Sequence, residues 1–145
     1  MLTQAFWGKK LLPYTYKSNA IATRQVLLTL IPFALIWASY VYCIEISTWY
    51  IIPFCILVSF FILRMFVLMH DCGHGSLFKS RRANHIVGYF LGVLTGMPQF
   101  VWSKNHAYHH NTNGDWVKYG GVFNIMTTDQ YAKLSKKKQR NYWLF

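Results

Sequence analysis

Three long stretches without a charge set the pattern of this chain. Twenty residues separate Arg24 from Glu45 without a charged side chain, and residues 26–44 are almost wholly apolar. A helix needs ~20 such residues to cross a ~30 Å hydrocarbon core, so the pattern predicts a first span at about 26–44. Pro32 falls inside it and is tolerable there, because neighbouring helices can satisfy the backbone that a proline frees. A second apolar run covers about 48–69, interrupted only by Arg64. That arginine lies about 9 Å along a helix from His70, near enough for its side chain to snorkel to the interface. The link at 45–47 is so short that the two spans are expected to form an antiparallel hairpin, with Trp49 and Tyr50 in an aromatic belt.

The third uncharged stretch, 83–103, is less apolar and contains His85, Pro98 and Gln99. Gly88, Gly92 and Gly96 recur every four residues, which places a bare stripe on one helix face for close packing. Length alone leaves open whether this stretch crosses.

Composition agrees with a membrane protein. Hydrophobic residues make up 54% of the 145 and charged residues 13%, about half the usual share. A soluble chain of this length has too little interior for so much apolar surface. Disorder is excluded by the 19% of aromatic residues. Fifteen Lys and Arg oppose four acids, Glu45, Asp71, Asp115 and Asp129, for a net charge of +11. The basic residues sit at the edges of the apolar runs rather than along a groove, which favours anionic lipid over nucleic acid. Lys9, Lys10, Lys17 and Arg24 precede the first span, and Lys79, Arg81 and Arg82 follow the second. The positive-inside rule then puts residues 1–25, a basic N-terminal tail, and the chain just after Met69 on the cytoplasmic side. No cleavable signal peptide is evident, and Cys43, Cys55 and Cys72 read as small buried thiols without paired spacing. Near the C-terminus, Lys133, Lys136, Lys137, Lys138 and Arg140 are followed by Tyr142, Trp143, Leu144 and Phe145. This is the pattern of a basic flank and aromatic belt before another span, or of a helix lying on the membrane surface.

Five of the six histidines fall in two short segments, His70-Asp71-Cys72-Gly73-His74 and His106-Ala107-Tyr108-His109-His110. Spacings of three and four stack side chains on one helix face, where imidazoles converge on a metal ion. Asp71 and Asp115 are candidate hydrogen-bond acceptors for the ligands' other N–H groups. His85 has no partner at helical spacing and reads as an interfacial side chain. A single centre needs both histidine segments on one side of the bilayer. The stretch at about 85–101 is therefore expected to be a re-entrant or interfacial helix, and the second span to continue as helix past the interface.

These residues resemble the membrane fatty-acid desaturases. The likeness lies in the run from His70 to Phe78, in Asn84 with Gly88 and Gly92, and in Trp102 with the segment His106 to His110. Asp-Cys-Gly within the first box is most similar to the Δ12/ω-6 acyl-lipid or acyl-CoA desaturases. The resemblance implies an all-α, four-span membrane enzyme with two cytoplasmic irons. It further implies that O₂ and electrons from cytochrome b5 or ferredoxin remove two hydrogens from an acyl chain. The implied metal ligands are His70, His74, His106, His109 and His110. The family's third histidine box has no counterpart here, since no histidine follows His110. The expectation is that residues 26–145 form the N-terminal part of a desaturase domain, inactive alone. Rival readings are a related alkane, sterol or carotenoid hydroxylase or ketolase, and a non-enzymatic haem or metal protein of the membrane.

Overall fold

A computed structural model describes residues 10–115, 118 and 126–144. Lys9 and Phe145, counted above among the flanking residues, lie outside the described residues. The regular structure is helical throughout those described: two short 3-10 turns, Leu12–Thr15 and Thr48–Tyr50, and the α-helices α1 (Asn19–Cys43), α2 (Ile51–Gly73), α3 (Arg81–Leu94), α4 (Gln99–Thr112), α5 (Thr128–Ala132) and α6 (Lys136–Tyr142). They divide into two compact units, Met1–Lys104 and Asn105–Phe145.

In the first unit, α1 starts seven residues before the apolar window, because Ser18 caps it by accepting a hydrogen bond from the Ile21 N–H. It runs unbroken through Pro32. The chain turns at Cys43, whose carbonyl accepts the N–H groups of Ile46 and Ser47, and the 3-10 turn leads directly into α2. The hairpin expected from the short link is therefore present. At its closed end Phe54 packs between Trp37 and Tyr40, with ring centroids 4.9 and 3.9 Å away. Towards the open end Arg64 joins the two helices. It turns onto α1, donating from Nε to Thr29 Oγ1 at 2.7 Å and from its terminal nitrogen to Gln25 Oε1, next to the basic flank at Arg24. Thr29 is fully buried, and a polar partner on the facing helix satisfies part of the guanidinium.

Two helices are long and apolar enough to cross a membrane, Asn19–Cys43 and Thr48–Gly73, and the chain is an all-α membrane protein. The second helix continues as expected beyond the apolar run that ends at 69 and carries His70 to Gly73 as helix. The stretch expected as one helix at 85–101 is broken in two, and the chain bends by 105° between α3 and α4, as in a broken span or a re-entrant loop. The cause lies at Gly96. Its φ of +68° follows the last turn of α3, the Gly96 N–H donates to Val93 and the Met97 N–H to Gly92. This Schellman cap ends the helix, and Pro98 prevents its resumption before Gln99.

Gly88 and Gly92 do serve close packing. A Cβ at Gly88 would lie 2.8 Å from Cys72 Cβ, and one at Gly92 would lie 2.6 Å from the Met97 carbonyl oxygen. Through this bare face α3 packs on the end of α2, around a core of Met65, Leu68, Met69 and Leu91. The three cysteines are not uniformly buried: Cys72 is, but Cys43 is half-buried and Cys55 is exposed on the outer side of the hairpin.

The second unit begins within α4. Beyond it, α5 opens with a capping box between Thr127 and Gln130, and Ser135 caps α6. Trp143, expected in an aromatic belt, donates from its indole nitrogen to the Tyr131 hydroxyl at 2.9 Å.

Candidate metal centre

The first histidine pair is built by the end of α2. His70 occupies the last turn and His74 is the C-cap, still in helical conformation, with its N–H on the His70 carbonyl at 3.1 Å. Gly75 follows at φ +65°, its N–H donating to Cys72 and the Ser76 N–H to Asp71, both at 2.9 Å. This second Schellman cap keeps His74 on the helical track, so that the spacing of four is realised in space. The two rings lie 4.5 Å apart, and their ligating nitrogens fall within 4.8 Å of one another.

Asp71, singled out from the sequence, sits with Oδ1 3.1 Å from His70 Nδ1. A carboxylate there favours the tautomer protonated on Nδ1 and leaves the Nε2 lone pair for a metal ion. One wall of the site is aromatic. The Trp102 ring lies 5.5 Å from His70 and 5.2 Å from Phe66. Trp102 comes this close because α2 ends in Gly73, where a Cβ would lie 2.5 Å from Ser103 Oγ.

In the second unit, α4 carries His106, His109 and His110 at the expected spacing. His106 Nε2 and His110 Nε2 are 2.9 Å apart. Two nitrogens bound at ~2.1 Å to one ion, at a right angle, stand about 3 Å apart. The pair therefore fits a shared ion. His109 lies 6.0 and 5.8 Å from the other two rings, centroid to centroid. Asp115, the other candidate acceptor, takes the Lys118 N–H at 3.1 Å just past the end of α4. His85 is exposed on α3, in keeping with an interfacial side chain.

Comparison with known proteins decides the family. The model for fatty acid desaturase matches residues 47–143, which include both histidine segments. The chain belongs to the fatty acid desaturase family. A fatty acid desaturase of Bacillus subtilis is 34% identical over 122 residues, covering 83% of this chain and 35% of its own length. A sn-1 acyl-lipid omega-3 desaturase (ferredoxin) of Synechocystis is 29% identical over 105 residues, covering 72% of this chain and 27% of the relative. An endoplasmic-reticulum omega-3 fatty acid desaturase of Nicotiana tabacum is 33% identical over 73 residues, covering 50% and 17%. This chain thus spans about a third or less of the length of these relatives. No solved structure matches it.

Several residues around the first pair went unassigned in the sequence. Asn84 is 3% exposed, accepts the Phe78 N–H on Oδ1 and donates from Nδ2 to the carbonyls of Phe78 and Ser80. An amide on the glycine face of a helix is a signal for such a role, because a buried amide needs partners. Gln99, also buried, lies over Gly88 and Gly92 and donates to Ser103 Oγ at 3.2 Å. Lys17 and Asn19 carry no such signal, since their partners are more than fifty residues away.

Proposed function

We propose that this chain provides the membrane hairpin and two histidine boxes of a lipid acyl desaturase, an O₂-dependent oxidoreductase with a di-iron centre. His70, His74, His106, His109 and His110 are the ligands proposed. The observation that carries this reading is the pairing within each box. Asp71 leaves His70 Nε2 directed to a metal, and the His106 and His110 nitrogens stand at the separation of neighbouring ligands. Trp102 packs against His70 within the first unit.

Histidine suits iron, and bound iron supplies with O₂ the oxidising power for an unactivated C–H bond that side chains lack. The overall change consumes O₂, two electrons and two protons, and yields a double bond and two waters. Five imidazoles leave positions of two irons open, so the reading expects further ligands beyond these residues. The substrate is an acyl chain in a lipid or thioester. The names of relatives favour a lipid-borne acyl group and a small electron carrier such as ferredoxin, with cytochrome b5 the other candidate donor. The basic ends of the hairpin support a cytoplasmic site: Lys17 meets Gly75 just past α2, so the N-terminal flank and the first box share one end.

A chimera tests the proposal. Residues 26–145 replace the matching segment of the Bacillus subtilis relative, and membrane lipids are analysed for new double bonds. The expected result is desaturation that His70→Ala or His106→Ala abolishes. A new hydroxyl or carbonyl would instead assign the chain to the hydroxylase and ketolase class. A chimera that is correctly inserted but makes no product, beside an active parent, would refute the reading.

A further inference from the structure

The loop after the first histidine box is clasped from the N-terminal side of the chain. Lys17 Nζ donates to the Gly75 carbonyl at 2.7 Å, and the Lys79 N–H donates to Asn19 Oδ1 at 3.0 Å. These bonds join segments 58 and 60 residues apart in sequence. They bracket the loop at both ends, the first grip falling one residue after His74. We propose that Lys17 and Asn19 are positioning residues for His74, an inference that rests on the metal-ligand reading of the first box.

The need for such a device follows from where His74 stands. His70 lies within the last turn of α2, beside buried Met69, and is held by the helix. His74 is the C-cap and is exposed. Helix ends fray, whereas a ligating side chain has to be kept within about 0.5 Å of its working position. The Schellman cap fixes the local backbone, and the clasp ties that cap to α1. Lys17 suits its place twice over. Its ammonium makes a charge-assisted bond to the carbonyl, and it puts a cation at the negative end of the α2 dipole. Asn19 is the first residue of α1, one beyond the Ser18 cap. The start of the first span and the end of the second are thereby locked together at the side chain that must not drift.

The test uses the whole chain in lipid nanodiscs, titrated with Co²⁺ and read by its visible absorption and dissociation constant. Asn19→Ala and Lys17→Met are expected to weaken binding about tenfold, the lower end of what outer partners of metal ligands contribute. Asn19→Asp, which keeps the acceptor, and Lys17→Arg, which keeps the donor, should restore it, with helical circular dichroism unchanged. In a His74→Ala background neither Asn19→Ala nor Lys17→Met should weaken binding further. Persistence of the loss in that background would show a general structural role and overturn the inference. So would variants that bind like the unaltered chain, and these would leave the metal reading intact. An unaltered chain that takes up no Co²⁺ would instead overturn the metal reading, and the inference with it.

Discussion

Asn84 and Phe78 share two hydrogen bonds. Asn84 Oδ1 accepts the Phe78 N–H at 3.0 Å and Nδ2 donates to the Phe78 carbonyl at 2.8 Å. The side chain acts as a strand would, satisfying both polar groups of a buried loop residue where no backbone partner can reach. Phe78 is itself buried, so these groups have no ready recourse to water.

Asn84→Ala should therefore destabilise the first unit by about 2 kcal/mol, within the range for leaving buried polar groups unsatisfied. Asn84→Asp keeps the acceptor but sets a buried carboxylate against the Phe78 and Ser80 carbonyls, and should be at least as destabilising as the alanine. Denaturant unfolding in detergent, followed by helical circular dichroism, measures both. An alanine variant as stable as the parent would show that water replaces the amide.

The two packing glycines should differ in their response to alanine. At Gly92 the added Cβ meets the backbone carbonyl oxygen of Met97, the residue whose N–H closes the Schellman cap on Gly92, so the clash is with backbone rather than a flexible side chain. At Gly88 it meets Cys72 Cβ and the end of the flexible Gln99 side chain. Overpacking costs about 1–3 kcal/mol, with Gly92→Ala expected near the upper end and Gly88→Ala near the lower. Gly96→Ala meets nothing within 4 Å, but places alanine at φ +68°, a penalty of about 1 kcal/mol. Unfolding midpoints of the three variants rank them, and a reversed order would mean that α3 shifts as a body.

The glycines also show what the sequence could and could not express. Two long, almost wholly apolar runs joined by three residues have one interpretation, so the hairpin is legible. Gly88, Gly92 and Gly96 share one period, yet the first two give up a side chain for packing and the third for backbone conformation. Periodicity cannot separate these uses, and so the helix was drawn through the break at Gly96. The start of α1 is hidden for a related reason, whereas the continuation of α2 into the first box is legible from its histidine spacing. Ser18 fixes that start through a local hydrogen bond, while hydropathy marks only the lipid-facing part. The histidine spacing survived because it is local to one helix. The grips of Lys17 and Asn19, and the turn of Arg64 towards Thr29, are contacts between distant segments without any periodic trace.

Arg64 provides a measurable coupling between the spans. Its Nε bond to buried Thr29 and its second contact with Gln25 join α2 to α1 where the hairpin is otherwise apolar. Polar pairs between membrane helices couple by ~0.6 kcal/mol on average and up to ~1.7. A double-mutant cycle of Thr29→Val and Arg64→Met should give a coupling of about 1 kcal/mol, read from unfolding in mixed micelles. A coupling near zero would indicate that the guanidinium finds equivalent partners in lipid head groups.

Asp71 offers the most direct test of how the first box is tuned for a metal. Its carboxylate faces His70 Nδ1 at 3.1 Å, so it can fix the tautomer, orient the ring and raise the basicity of the opposite nitrogen. Asp71→Ala removes all three effects and should weaken Co²⁺ binding by about 10- to 100-fold. Asp71→Asn retains an oxygen acceptor but not the charge. It should keep the ring orientation and lose only basicity, giving a smaller loss with an unshifted visible band. Asp71 is half-exposed and its backbone carbonyl, not its side chain, holds Ser76. Neither variant should therefore disturb the end of α2, and circular dichroism should stay the same. If both variants bind like the parent, the carboxylate is an ordinary helix-surface partner of His70. If the asparagine is as weak as the alanine, charge rather than orientation is what His70 takes from its neighbour.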